Sequence, residues 1–356
     1  MAYKCIQKLP IYSEFAIVLH DGTFASCTYD KTIQIWKQNH DMIWEYAQTL
    51  IKSRFQITSL TVLPDGTFAS GSLKEIKIWK HTNYGLWECV QTKKDYSNSY
   101  ISHLTVLPDS TLVYTGDSPC YIPRETRSYY YPYTKDNYTI TILKQNDDMK
   151  WKRYQTLFGH AKIIYSLTVL QDGTFASGDA DGKINIWKQN HDMLWERVQT
   201  LIAQADCIKS LTVLHDGTFI TNSKPIQIWK QNNDMKWECS QTLNLNYGWS
   251  QYLPDNTISI YYSHKQFNYS DYADDDDLSI KILKQNDDKI WECDKTFDNT
   301  SIEYSNYSSI SNSSIILPDD TLLSDNKILS TPYSVKRIKS KIIFNNVIKN
   351  ILMVKS

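Results

Sequence analysis

The chain has 356 residues, 41% hydrophobic and 22% charged, with 38 basic groups against 39 acidic ones. A net charge of -1 excludes a polybasic nucleic-acid sleeve or an acidic disordered tail, and 25 Tyr, 11 Trp and 10 Phe bring more burial potential than a disordered chain carries. No window reaches the roughly 18 consecutive apolar residues of a spanning helix. The N-terminus has no apolar stretch of signal-peptide length, so a folded, cytoplasmic protein is expected.

In chain order, residues 3–9 (YKCIQKL) open as a short strand. A D-x-T turn follows at Asp21 and returns at Asp65, Asp109, Asp172, Asp216, Asp255 and Asp319. The intervals of 44, 44, 63, 44, 39 and 64 residues define a period near 44, with two copies lengthened by about 20 residues. Within a copy an apolar run such as SLTVL (Ser59 to Leu63, Ser166 to Leu170, Ser210 to Leu214) precedes the turn, and TFAS follows it. IKIWK or IQIWK comes next, ending on Trp36, Trp79, Trp187 or Trp229, then a polar QNxDM turn and WECVQT or a relative. Each segment is short, β-branched or aromatic, and bounded by Asp, Asn or Gly, which predicts four strands per copy. Gly and Asn are expected to supply the unusual backbone angles of the turns.

Four-stranded copies of this period resemble WD40 repeats over about residues 3 to 330. The fourth copy carries the fullest match, with Gly159 and His160 followed by ASGDADGKINIW from Ala176 to Trp187. The resemblance implies a buried hydrogen-bonded chain of His160, Ser177, Asp181 and Trp187. The first copy keeps Ser26, Asp30 and Trp36 without the His, while Leu143 and Leu283 stand where a Trp would be. The Asp after the Trp is Lys throughout (Lys37, Lys80, Lys188, Lys230).

The fold expected is all-β: a seven-bladed β-propeller over residues 1–330 with four-stranded antiparallel blades. The seventh copy offers Ser314 to Leu317, Thr321 to Ser324 and Lys327 to Leu329 but no WECVQT segment. Residues 3–9 are expected to complete it, aligning Cys5 with Cys89, Cys239 and Cys293. Cysteines at one strand position of different blades lie too far apart to cross-link and read as reduced thiols.

Both insertions fall between second and third strands, on one face. The first, about Asp117 to Asn137, holds Tyr121, Arg124, Arg127, Tyr129, Tyr130, Tyr131 and Tyr133; the second, about Tyr261 to Asp277, holds Tyr261, Tyr262, Tyr269 and Tyr272. Tyr and Arg are enriched at binding hot spots, so these residues read either as a surface for a protein or peptide partner or as packing of the loops on the rim. Asp274 to Asp277 reads as a cation site or a solvated run. The KQNxDMxW turns, on the opposite face, read as a repeated polar ligand surface or as one hairpin turn duplicated with its blade.

His20 and His215 hold equivalent turn positions, as do His40 and His191. None accompanies a nucleophile, phosphate or H-E-x-x-H motif, so the expected protein is a non-catalytic, monomeric interaction scaffold, without cofactor, metal or nucleic acid. The alternatives are a glycan- or ion-binding propeller and a membrane-associated adaptor acting through residues 331–356, a basic and apolar extension.

Overall fold

The computed structural model describes residues 4–9, 13–28, 30–50, 55–73, 75–94, 100–117, 138–204, 207–244, 248–252, 258–263, 278–298, 315–316, 322–324 and 327–330. Among them lie 28 strands in seven four-stranded sheets. Sheet 1 contains β2 (Ser13–Val18), β3 (Phe24–Thr28), β4 (Ile33–Gln38) and β5 (Trp44–Leu50); sheet 2 contains β6 (Ile57–Val62), β7 (Phe68–Ser72), β8 (Glu75–His81) and β9 (Trp87–Lys94). Sheet 3 holds β10 (Tyr100–Val106), β11 (Leu112–Asp117), β12 (Thr139–Gln145) and β13 (Trp151–Leu157). Sheet 4 holds β14 (Ile164–Val169), β15 (Phe175–Asp179), β16 (Lys183–Gln189) and β17 (Trp195–Ile202). Sheet 5 is β18 (Ser210–Val213), β19 (Phe219–Asn222), β20 (Ile226–Gln231) and β21 (Trp237–Leu243). Sheet 6 is β22 (Gly248–Tyr252), β23 (Ile258–Ser263), β24 (Leu278–Gln285) and β25 (Trp291–Asp298).

Sheet 7 runs β1 (Lys4–Lys8), β28 (Lys327–Ser330), β27 (Leu322–Ser324) and β26 (Ile315–Ile316). The first strand therefore completes the last sheet, antiparallel, with Cys5 opposite Leu329 and Lys8 opposite Lys327.

The chain divides into two compact units. Unit 1 is Met1–Phe68, Trp79–Val90 and Ile310–Ser356; unit 2 is Ala69–Ile78 and Gln91–Ser309. Each has its own apolar cores, such as Leu19, Ile33, Leu60 and Phe68 in unit 1, and Ile140, Leu157, Ile164 and Phe175 in unit 2.

Within a sheet the repeated aromatic residues explain the order of segments. Phe175 of β15 stacks on Trp187 of β16 at 6.0 Å and meets Trp195 of β17 edge-on at 5.0 Å. Phe24 with Trp36 and Trp44, Phe68 with Trp79 and Trp87, and Phe219 with Trp229 and Trp237 repeat the arrangement. Burying a large side chain contributes about 1.5–3 kcal/mol, so three per sheet fix which strand sits where. In sheets 3 and 6, Leu143 and Leu283 fill the place of the third-strand Trp and are equally buried.

The first-to-second-strand turn is set by its Asp. In Asp172-Gly-Thr, Asp172 Oδ1 accepts the Thr174 N–H (3.0 Å) and hydroxyl (2.5 Å), while Gly173 takes φ +83°. The third-to-fourth-strand turn departs from expectation. Its left-handed residue is Met42, Met149, Met193, Met235 or Lys289, at φ between 58° and 63°, with Gly85 only in sheet 2. The preceding Asn holds this conformation: Asn190 Oδ1 accepts the N–H groups of Asp192 and Leu194, both at 3.0 Å.

Candidate functional site

The polar chain is complete in sheet 4. His160 Nδ1 lies 2.7 Å from Asp179 Oδ2, His160 Nε2 lies 2.6 Å from Ser177 Oγ, and Trp187 Nε1 donates to Ser177 Oγ at 2.8 Å. A neutral imidazole with its proton on Nδ1 satisfies all four: it donates to the carboxylate and accepts the serine hydroxyl. Asn185 extends the chain, donating to the Gly159 carbonyl (3.2 Å) and accepting the Thr200 hydroxyl (2.8 Å).

The acid is Asp179, not Asp181 as the resemblance implies. Asp179 lies two residues beyond Ser177 on β15, so both side chains point to the same face. Its Oδ1 accepts the N–H groups of Asp181 (3.0 Å) and Lys183 (2.9 Å), folding the turn and leaving the Asp181 side chain exposed. The trio has the connectivity of a hydrolytic Ser-His-Asp triad. Ser177 and Asp179 are wholly buried and the serine oxygen is taken by an indole, so its geometry serves cohesion.

Other sheets hold fragments. Trp36 donates to Ser26 at 3.1 Å, while Asp30 caps its own turn through Thr32. In sheet 5 Thr221 replaces the Ser, but its hydroxyl is engaged by Gln227 and Ser223, leaving the buried Trp229 indole N–H without an acceptor.

Both insertions do open between second and third strands, from β11 to β12 and from β23 to β24. Their roots are regular pairs, Gly116 opposite Thr139 and Ser263 opposite Leu278. Tyr261 and Tyr262 belong to the ladder rather than the loop: Tyr261 stands opposite Trp249 and Ile280, and Tyr262 opposite Gly248 and Ser279, because β23 continues to Ser263. Tyr121, Arg124, Arg127, Tyr129, Tyr130, Tyr131, Tyr133, Tyr269 and Tyr272 lie outside the described residues, as do Asp274 to Asp277 and residues 331–356.

Two repeated contacts not foreseen from the sequence orient these loops. In unit 2, Gln189, Gln231 and Gln285, at the start of the third-to-fourth-strand turns, donate to Asp109, Asp172 and Asp216 of the preceding sheet's D-x-T turn at 2.7, 2.7 and 3.2 Å. The two kinds of turn thus share one end of sheets 3 to 6. The second-to-third-strand connections, and both insertions, leave from the other end.

The second contact is a clasp. Gln7, Gln48, Gln91, Gln155, Gln199 and Gln241 each accept the main-chain N–H and donate to the main-chain carbonyl of Trp44, Trp87, Trp151, Trp195, Trp237 and Trp291 respectively, at 2.6 to 3.3 Å. The side-chain amide thereby imitates a pairing strand on the outer edge of the next sheet. The legible signal is a Gln four residues after each fourth-strand Trp from Trp44 to Trp237.

Cys89, Cys239 and Cys293 are free, exposed thiols at matching positions of β9, β21 and β25. Among the described residues no group of three or more His, Cys, Asp or Glu is placed to hold a metal ion.

Residues 151–188 match the family model described as "WD domain, G-beta repeat", a span that contains the complete polar chain. No curated protein matches the sequence. Among solved structures, the chain is similar to the WD40 β-propeller domain of Doa1, with 13% identity and a TM-score of 0.65 over 94% of this chain and 99% of that one. It is similar to the Cps50 (Swd1) β-propeller domain of Myceliophteria thermophila, with 13% identity and a TM-score of 0.59 over 84% of this chain and 89% of that one. A protein from Lactobacillus plantarum aligns at 10% identity and a TM-score of 0.61 over 80% of this chain and 84% of that one. The likeness shows the fold, a WD40-type β-propeller whose blades are the four-stranded sheets. WD40 propellers generally mediate protein–protein interaction.

Proposed function

We propose that the protein is a non-catalytic, cytoplasmic interaction scaffold, monomeric by itself, that takes a protein or peptide partner on its two tyrosine-rich insertions. The observation that carries the reading is positional. Both insertions replace the same connection, in sheets 3 and 6, and leave the end opposite the interlocked turns. Short connections at that place in sheets 4 and 5, Asp179 to Lys183 and Asn222 to Ile226, show that the sheet needs no such length. Loops raised on a rigid support lower the ordering cost of binding, and Tyr offers large contact area with few rotatable bonds.

The test is affinity capture followed by mass spectrometry, repeated with Tyr129, Tyr130, Tyr131 and Tyr133 replaced together by Ser. A discrete partner retained by the parent and lost by the variant, at unchanged melting temperature, is expected. Equal capture by both would refute the assignment to these loops.

A further inference from the structure

In unit 2 two amide side chains tie the turn ends of sheets 4 and 5. Gln171 Nε2 donates to the carbonyls of Leu214 (3.1 Å) and His215 (3.0 Å), and Gln231 Nε2 donates to Asp172 Oδ2 (2.7 Å). In unit 1 the same two positions at the seam of sheets 1 and 2 hold imidazoles. His20, in the place of Gln171, sets Nε2 3.1 Å from the Leu63 carbonyl. His81, in the place of Gln231, sets Nε2 3.9 Å from Asp21 Oδ2, with its ring edge-on to Trp87 at 5.2 Å. Asp21 repeats Asp172: Oδ1 serves Thr23 N–H and hydroxyl, leaving Oδ2 for the neighbouring sheet.

An amide keeps its charge state at all physiological pH values, whereas imidazole titrates within the range 5 to 8. At 3.9 Å a neutral His81 makes no hydrogen bond to Asp21. An imidazolium is attracted to the free carboxylate oxygen and gains a charge-assisted bond on closing the gap. The other charged groups on the elements meeting here are Asp65 in the turn after β6, Lys80 beside His81 and Glu88 beside Trp87; acids outnumber the single cation. Asp65 Oδ1 is occupied by Thr67.

We propose that the seam between sheets 1 and 2 is a pH-responsive joint, drawn closed when His81 and His20 are protonated around Asp21, while the amide-sealed seam between sheets 4 and 5 is indifferent to pH. The sign follows from the partner. A histidine facing a carboxylate adds stability in acid, and that contribution is lost as pH rises through the imidazole range. Neutral solution therefore loosens the turns at His20–Thr23 and Thr82–Leu86, a response independent of any ligand on the inserted loops.

Hydrogen exchange of the full chain at pH 5.5 and 7.5, corrected for intrinsic rates, reads each seam separately. Protection at residues 20–23 and 82–87 is expected to be roughly threefold higher at pH 5.5, the scale of an exposed ion pair. Residues 171–174 and 232–237 should not respond. Asp21→Asn keeps the oxygen that Thr23 needs and removes the charge, and should abolish the response at 82–87. His81→Gln installs the chain's own amide solution and should give high protection at both pH values. A response that survives Asp21→Asn, or one equal at both seams, would overturn the proposal.

Discussion

His103 offers a sharp test of how burial sets stability here. It sits on β10 where the other repeats carry Ser59, Ser166 and Ser210. Its Nδ1 is sequestered without a hydrogen-bond partner, and burial pushes the imidazole down from 6.5 to about 4. The unfolded chain takes up a proton below its ordinary value, but the folded protein resists until about pH 4. Stability must therefore fall as pH falls through that window. Linkage over it gives a loss of about 2 kcal/mol between pH 7 and 5, and about 3 kcal/mol by pH 4. These are ceilings, because part of the residue's surface reaches solvent. Urea denaturation followed by tryptophan fluorescence at pH 7, 6 and 5 should show His103→Ser losing less stability with acid than the parent by that amount. The exposed His81–Asp21 pair acts with opposite sign but on the scale of about 0–1 kcal/mol, so burial sets the net direction. Parallel pH profiles for parent and variant would refute the burial argument.

The reassigned acid predicts an asymmetry between neighbours. Asp179→Asn sets an amide N–H against the His160 Nδ1 proton inside a sealed core and should cost about 3 kcal/mol, whereas Asp181→Asn should stay within about 0.5 kcal/mol; equal effects in chemical denaturation would restore the expected chain. Gln199→Ala removes both partners of the Trp237 main chain and should cost about 1 kcal/mol by the same assay. A neutral result there would mean that water replaces the clasp at no cost.

Much of the fold was written in the repeat. Strand order, turn positions, the pairing of residues 3–9 with 327–329 and the connections that carry the insertions all follow from period and strand signals, because each copy solves the same packing problem. What escaped was decided by geometry. Asp179 and Asp181 are both acids near one turn, and only the direction of the Asp179 side chain, fixed by the N–H groups it caps, selects it. Tyr261 and Tyr262 look like loop residues because tyrosine suits strands and binding loops alike. The left-handed Met193 gives no local signal, since the Asn that holds it lies three residues earlier. The clasp partners are separated by 37 to 60 residues, so repetition of the Gln was visible but its target was not.

The clasps also resolve a tension in the sequence. Sheet 4 alone has the full His, Ser, Asp and Trp chain among the described residues, and an incomplete polar network rigidifies less than a satisfied one. Sheets 3 and 6, with Leu143 and Leu283, nevertheless keep complete ladders and receive clasps from Gln91 and Gln241. A clasp addresses main-chain groups, so it works whatever side chains the receiving sheet has lost. It also occupies the first residue of an outer strand, where unpaired N–H and C=O groups would invite edge pairing with another chain. Cohesion in this propeller has thus shifted from polar chains inside each blade to amide contacts between successive blades, which leaves blade interiors free to diverge.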